Sequence, residues 1–477
     1  MNVDTLGRQN LRQVSHLHRH RLRGWATGEP SWLRSTTLAG AVVIGAATLV
    51  LRLVYGAAVA TDRAGAALVA GTGHFDVRLG SPPAPGSWLY LAAGRALHDV
   101  AGLSTVHALV LVSALLSAAA AGGTCLAGTA LGGRFVGLAA GAFVGTAPVA
   151  WFAGSTVSTA GVGAALAALL IVLARRARPY RAHGIVAVAA LGLAAGVRLS
   201  VVPALVLVAA IAVVASVRTV GQLLLLVGAG VASVAAWLVP VAVLQSGGLR
   251  AWLHAVHLQL SHTGSASSVF VAPAARATTN LGTAAAWSLV TLAPVAAVAV
   301  VGVVVLVLVR LVTRRPAGNT TLRIWAAGTE PTVTDERPWY QTTTAVLVAA
   351  IVPPVAVVTL GRFTGGGDVL DYLVPAAVLF LLPLGRLLHH HSPGVRRPAL
   401  ALAAVLVAAT VVFNVQRFVA APGILPARVI HHEPHLWISK ARYGAPYADT
   451  AATIRAADAG RGAADRPERV DRGRGSP

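Results

Sequence analysis

The chain has 477 residues, 56% of them hydrophobic and only 11% charged, where a soluble domain has about a quarter charged; its mean hydropathy is +0.71. That balance excludes an ordinary soluble fold and predicts an all-α polytopic membrane protein, because helices of about 20 apolar residues cross about 30 Å of hydrocarbon. The formal charge of +22 does not argue for nucleic acid, since the arginines lie in short links between apolar runs rather than in one basic domain with interleaved aromatics.

Residues 1–36 form a basic arm with Arg8, Arg12, Arg19, Arg21, Arg23 and Arg34 against Asp4 and Glu29, and such an arm is expected to stay cytoplasmic. The run 37–60 is too long for a signal peptide and lacks a convincing cleavage site, so it reads as span 1, crossing outward. Arg52 lies inside it, snorkelling or facing the bundle, with a packing or interface role favoured.

Residues 61–103 make the first outer loop, which carries Asp62, Asp76, Arg78 and the segment SPPAPG. Residues before proline avoid the helical region, so that segment takes an extended or turning path. Helix is expected to resume at Ser87 to Leu97, with Trp88 and Tyr90 at the headgroup level.

Span 2 covers about 104–126 and holds Cys125, the single cysteine, which excludes an intrachain disulfide and fits a small buried residue. Span 3 covers about 135–152 and span 4 about 158–174, returning to Arg175, Arg176, Arg178 and Arg181, the strongest cytoplasmic marker. Residues 185–217 suit two short spans broken near Gly196 to Ser200, with Arg198 at the outer break and Arg218 inside.

Span 7 covers about 223–244, and residues 246–283 form a second outer loop. Within it RAWLHAVHLQLSH is an expected amphipathic helix, with Trp252, Val256 and Leu260 on one stripe and Arg250, His254, His257 and Ser261 on another. Span 8 covers about 284–311, and span 9, about 342–360, holds a kinking Pro353–Pro354 pair. The outer turn GRFTGGGDVLDY supplies Arg362, Asp368, Asp371 and Tyr372 before span 10, about 373–388, and span 11, about 399–420. Eleven spans thus run across residues 37–420, and residues 421–477 become an extracytoplasmic tail whose end is expected to be disordered.

No span carries an acidic residue at its middle, whereas proton-coupled carriers rely on intramembrane carboxylate or histidine relays. Polar side chains gather instead on the outer side: Asp62, Asp76, Arg78, Arg198, His254, His257, Arg362, Asp368, Asp371 and Tyr372. His254 and His257 stand three residues apart without a carboxylate at ligand spacing, so an amphipathic face explains them better than a metal. His431, His432, Glu433 and His435 form a denser set in the tail, but clusters alone lack fixed geometry. The cofactor is unknown: no strong metal-site pattern exists, and a divalent cation stays open.

An acidic residue just after span 1, a small-residue stretch, a Pro82–Pro83 element about twenty residues later and a short aromatic helix together resemble the GT-C superfamily of membrane glycosyltransferases. Within it the similarity is to the protein O-mannosyltransferase and aminoarabinose transferase group, and LGLAAGVRLS and GGGDVLDYLVPA also resemble its members. Arg63 stands where that group often has Glu. The resemblance implies a GT-C-like domain over residues 37–420 that moves a sugar from a polyprenyl-phosphate donor to a glycan, lipid or protein acceptor at the extracytoplasmic face of the cell membrane.

In such a reaction a carboxylate takes the proton of the acceptor hydroxyl as its oxygen attacks the anomeric carbon, and guanidinium groups favour the departing phosphate. Asp62 and Asp76 are the candidate bases, Arg198 and Arg362 the candidate phosphate ligands, and Arg78, His254, His257, Asp368 and Tyr372 the candidate substrate contacts. The competing readings are a transporter or flippase for a lipid-linked sugar, which would need polar groups at mid-membrane or an internal repeat, and an inactive membrane scaffold.

Overall fold

A computed structural model describes residues 31–245, 247–267, 273–312, 338–361, 366–390 and 393–419. Residues 1–30 of the expected basic arm, Arg362, residues 313–337 and the tail with its histidine set lie outside the described residues. Among those described, all regular structure is helical, and pairing of β type is limited to an isolated bridge between Asp76 and Ser81.

The helices are α1 (Ser31–Val54), α2 (Arg63–Gly73), α3 (Trp88–Ala101), α4 (Thr105–Gly132), α5 (Arg134–Thr146), α6 (Pro148–Ser155), α7 (Gly161–Arg176) and α8 (His183–Val197). They continue with α9 (Val201–Ser216), α10 (Val220–Leu244), α11 (Gly248–Ser267), α12 (Pro273–Val312), α13 (Thr343–Ala356), α14 (Leu370–His390) and α15 (Pro393–Val419). Short 3-10 turns at Val77–Leu79, Trp339–Gln341 and Gly366–Val369 join them, and a π turn at Val357–Gly361 follows the Pro353–Pro354 pair.

Seven of these helices are long and apolar enough to cross a membrane, and the α5–α6 pair, bent by 56°, makes an eighth if taken as one span. The chain is a multi-pass membrane protein. The remaining expected spans correspond to α7, α8 and α9, of 16, 15 and 16 residues, which at about 1.5 Å per residue fall short of about 30 Å of hydrocarbon. The α5–α6 bend falls at Ala147 (φ −56°, ψ 131°), the residue before Pro148, whose ring disfavours a helical predecessor.

Helix α4 is central, packing on α1, α3, α5, α6, α7 and α14. Lipid tails are as apolar as leucine, so helices associate here by close backbone approach between small residues. A Cβ on Gly122 would lie 2.8 Å from the Ala41 carbonyl oxygen, and one on Gly128 would lie 2.8 Å from the Gly137 Cα. Any larger residue at either position would push α1 or α5 away from α4.

The segment expected as a first outer loop with interfacial helices holds two helices, Arg63–Gly73 as well as the expected one after Ser87. Asp62 starts that helix: its Oδ1 accepts from the Gly65 amide at 2.6 Å, satisfying one of the free donors of the first turn. Tyr90 differs from the expected headgroup position and is 1% exposed. The expected amphipathic helix is α11, with Trp252 buried and Arg250, His254 and His257 exposed.

The two ends of the bundle differ in chemistry. One end collects arginines: Arg175 donates to the carbonyls of Ala130 and Gln341, and Gln341 Nε2 donates to the carbonyls of Ala174 and Ala177, each at 3.0 Å. The opposite end, where α7 begins and α8 ends, holds Asp62, Arg198, Asp368 and Asp371.

Candidate active site

Arg198 caps the C-terminus of α8 in extended backbone, at the break before α9. Its Nη2 donates to Asp368 Oδ1 at 2.5 Å and its Nη1 to Asp371 Oδ1 at 3.2 Å. Asp368 belongs to the 3-10 turn before α14 and Asp371 to the first turn of α14, where the helix dipole favours negative charge. Both carboxylates are buried. Burial works against the charge on Arg198, but Asp371 and then Asp368 outweigh it and hold the guanidinium above its usual value. One guanidinium thus serves two buried carboxylates from one short segment of chain.

Glycine makes the geometry of that group feasible. A Cβ on Gly163 of α7 would lie 1.9 Å from Asp371 Oδ1, so the carboxylate occupies the space of a missing side chain. Next to Asp371, Tyr372 turns its hydroxyl onto Ser288 Oγ of α12 at 2.7 Å.

The connection from α6 to α7 is pinned from the side of the first outer loop. The Ser158 amide donates to the Tyr90 hydroxyl at 3.1 Å and to Ser113 Oγ at 3.2 Å, and Tyr90 and Ser113 share a hydrogen bond of 2.9 Å. Burial pushes the Tyr90 phenol up, the hydrogen bonds to Ser113 and Ser158 counter it in part, and the charge of Asp62 adds to the rise. Val157, in the same connection, packs with Tyr90, Leu109 and Val110, and Val197, adjacent to Arg198, packs against that cluster. Asp62 and the Arg198 group therefore share one end of the bundle and one connecting segment.

Asp76 has a different environment. Its Oδ1 accepts from the Arg78 amide at 3.0 Å, Arg78 Nε at 3.2 Å and Gln245 Nε2 at 2.6 Å, while Oδ2 accepts from Arg78 Nη2 at 2.9 Å. Gln245 Oε1 in turn accepts from the Val77 amide at 3.1 Å. Burial alone would raise the Asp76 carboxyl, but hydrogen bonds from Arg78 and Gln245 hold it below the usual range. These bonds join the first outer loop to the end of α10.

His254 and His257 lie on the exposed face of α11, and Arg362 lies outside the described residues. Among the described residues no group of three or more His, Cys, Asp or Glu side chains could hold a metal ion. Two features escaped the sequence reading. Tyr90, Ser113 and Ser158 carry no local pattern that marks them as a network, whereas Arg52, a guanidinium inside a span, was visible and its buried partners were not.

No family model matches the chain, and no curated protein matches it. A solved structure is similar in overall chain course: ArnT from Cupriavidus metallidurans bound to undecaprenyl phosphate, 16% identical over 88% of this chain and 71% of that one, with a TM-score of 0.42. A likeness of that degree carries no argument about chemistry.

A groove runs beside the site. It has a volume of about 600 Å³ and an almost wholly apolar lining from one face of α7 (Val162, Leu166, Leu169, Val172), the facing side of α8 up to Val197, part of α4 down to Leu126, and Leu89 of α3. Its length follows α7, so it leads from the residue next to Arg198 toward the arginine end of the bundle.

Proposed function

We propose that this chain is a membrane glycosyltransferase that moves a sugar from a polyprenyl-phosphate donor to an acceptor hydroxyl at the extracytoplasmic face. The observation that carries the reading is the apolar groove ending beside Arg198, at the end of the bundle that also holds Asp62. An isoprenoid tail is long, apolar and flexible, and it gains from burial against α7 and α8 while its phosphate sits at the polar end. The reading keeps eleven spans with a cytoplasmic N-terminus, which sets the arginine end inside.

Asp62 is the proposed base. Its carboxylate is half-buried at the start of α2, at the end of the bundle that holds the Arg198 group, whereas Asp76 is bound to Arg78 and Gln245 at the end of α10. The acceptor O–H proton passes to Asp62 as the oxygen bonds to the anomeric carbon, and the bond from that carbon to the donor phosphate breaks with its electron pair leaving on phosphate. A single displacement of this kind inverts the anomeric configuration. Arg198 meets the phosphate by exchanging one of its carboxylates for it, and Asp368 accepts from a sugar hydroxyl. Arg78, Tyr372, His254 and His257 remain the proposed outer contacts for substrate, and Arg362 a second phosphate ligand.

Membranes containing the protein, incubated with labelled polyprenyl-phosphate sugars, should transfer label to an acceptor. Asp62→Asn at normal abundance should abolish that transfer. Retained transfer in both Asp62→Asn and Asp76→Asn would remove the reading.

A further inference from the structure

Arg52 is fully buried near the C-terminal end of α1, among neutral partners. Among the described residues the ion pairs are Arg78–Asp76, Arg95–Asp99, Arg198–Asp368 and Arg198–Asp371, and Arg52 is in none of them. A charge inside a membrane-spanning helix is costly and rarely kept without a task. Without a counter-charge it also lacks the Coulomb attraction that offsets the desolvation of a buried ion.

The contacts of Arg52 show what it holds. Nη2 donates to the Gly145 carbonyl of α5 at 2.7 Å, Nε donates to Ser117 Oγ of α4 at 3.2 Å, and the guanidinium lies 4.8 Å from the ring centre of Trp151 in α6. The bend at Ala147–Pro148 interrupts the helical ladder in this region, and a freed carbonyl in an apolar interior needs a donor. Gly154 admits the side chain: a Cβ there would lie 2.9 Å from Arg52 Nε and 2.5 Å from Ser117 Cβ. One planar fork thus touches both limbs of the bent pair and the central helix.

Helix α6 in turn carries the site. Its last residue, Ser155, accepts from the Ala57 amide at 2.8 Å, five residues before Asp62. The turn holding Asp368 packs on α6, and the connection after it holds Ser158 against Tyr90 and Ser113. We infer that Arg52 is a positioning residue: it clamps the α5–α6 bend so that α6 registers the Asp62 segment against the Asp368–Arg198 group. Its effect on transfer rests on the glycosyltransferase reading; its effect on α6 does not.

The test replaces Cys125 with alanine in the full-length chain and installs a single thiol by Ser155→Cys, at a position that is 0% exposed, or by Ala167→Cys, also 0% exposed and in α7. Labelling by a small thiol reagent is compared in chains with Arg52, Arg52→Met and Arg52→Lys. The expected result is that both substitutions speed labelling at 155 by about tenfold or more while labelling at 167 stays unchanged. A lysine keeps the charge but has no fork to reach two limbs at once. Unchanged labelling at 155 overturns the clamp, and so does faster labelling at both positions, which would mean general loosening. In the transfer assay Arg52→Met should lower kcat by about tenfold or more with donor KM moved less than about twofold. Absent transfer by the parent chain would fail the glycosyltransferase reading and leave the labelling result to decide the clamp.

Discussion

Nη2 of Arg198 lies 2.5 Å from Oδ1 of Asp368, joining the break between α8 and α9 to the turn that starts α14. Asp371 takes the other arm of the same guanidinium at 3.2 Å. The link spans 170 positions of sequence, and one guanidinium serves two buried carboxylates. Removing the cation is therefore more harmful than removing either anion. Arg198→Met should cost about 3–5 kcal/mol of stability, the range for stranding a buried charge, and Asp371→Asn less. Thermal unfolding in lipid nanodiscs checks the order, and equal losses would speak against a guanidinium shared by both carboxylates.

Gly163 should tolerate no side chain. Alanine there puts a Cβ 1.9 Å from Asp371 Oδ1, so the pair must part or α7 must move, at about 1–3 kcal/mol for overpacking. Gly221 of α10, with nothing within 4 Å of its Cβ position, is the control. Its replacement by alanine should be neutral or slightly stabilising, from helix propensity.

The Asp76 joint predicts a dependence on pH with a definite sign. Its carboxyl is held below the usual range in the fold, so its contribution is complete above the unfolded value of about 4 and is lost as pH falls through the lower folded value. Asp76→Asn should be less stable than the parent at pH 7, and the gap should close under acid. A gap that widened on acidification would contradict the Arg78 and Gln245 bonds.

Filling the groove should discriminate between lipid and soluble donors. Leu169→Trp and Ala165→Phe add bulk along α7. Excluding two or three methylenes at about 0.8 kcal/mol each should raise donor KM by about tenfold or more with kcat little changed. A water-soluble donor analogue without the tail should show no difference between parent and variants.

Orientation follows from two exposed positions. In a Cys125→Ala chain, a thiol at Val100, 88% exposed, should react with an impermeant reagent on intact cells, and one at Tyr180, 70% exposed, only after permeabilisation. The reverse pattern would turn the arrangement over and move the site to the cytoplasm.

Much of the architecture was legible because hydropathy and proline chemistry act locally. The runs around Thr105–Gly132 and Val220–Leu244 read as spans and are long helices, the α8–α9 break lies at Arg198 to Ser200, and α11 has Trp252 on its buried side. The helix after Asp62 was hidden because a capping carboxylate followed by alanines and glycines has the composition of a loop. Tyr90 was misjudged because an aromatic beside a membrane is read as a headgroup anchor, and only its neighbours Ser113 and Ser158 draw the hydroxyl inward.

By itself the sequence established a multi-pass helical protein and the break near Arg198, because the length of apolar runs and the spacing between arginines are properties of neighbouring residues. Tertiary structure decided the partners: Arg198 against Asp368 and Asp371, Asp76 against Gln245, and Arg52 against neutral groups at a bent helix pair. Those outcomes depend on which helices lie side by side and how closely glycines let them approach, and that is set by packing between residues 65 to 173 positions apart in the chain.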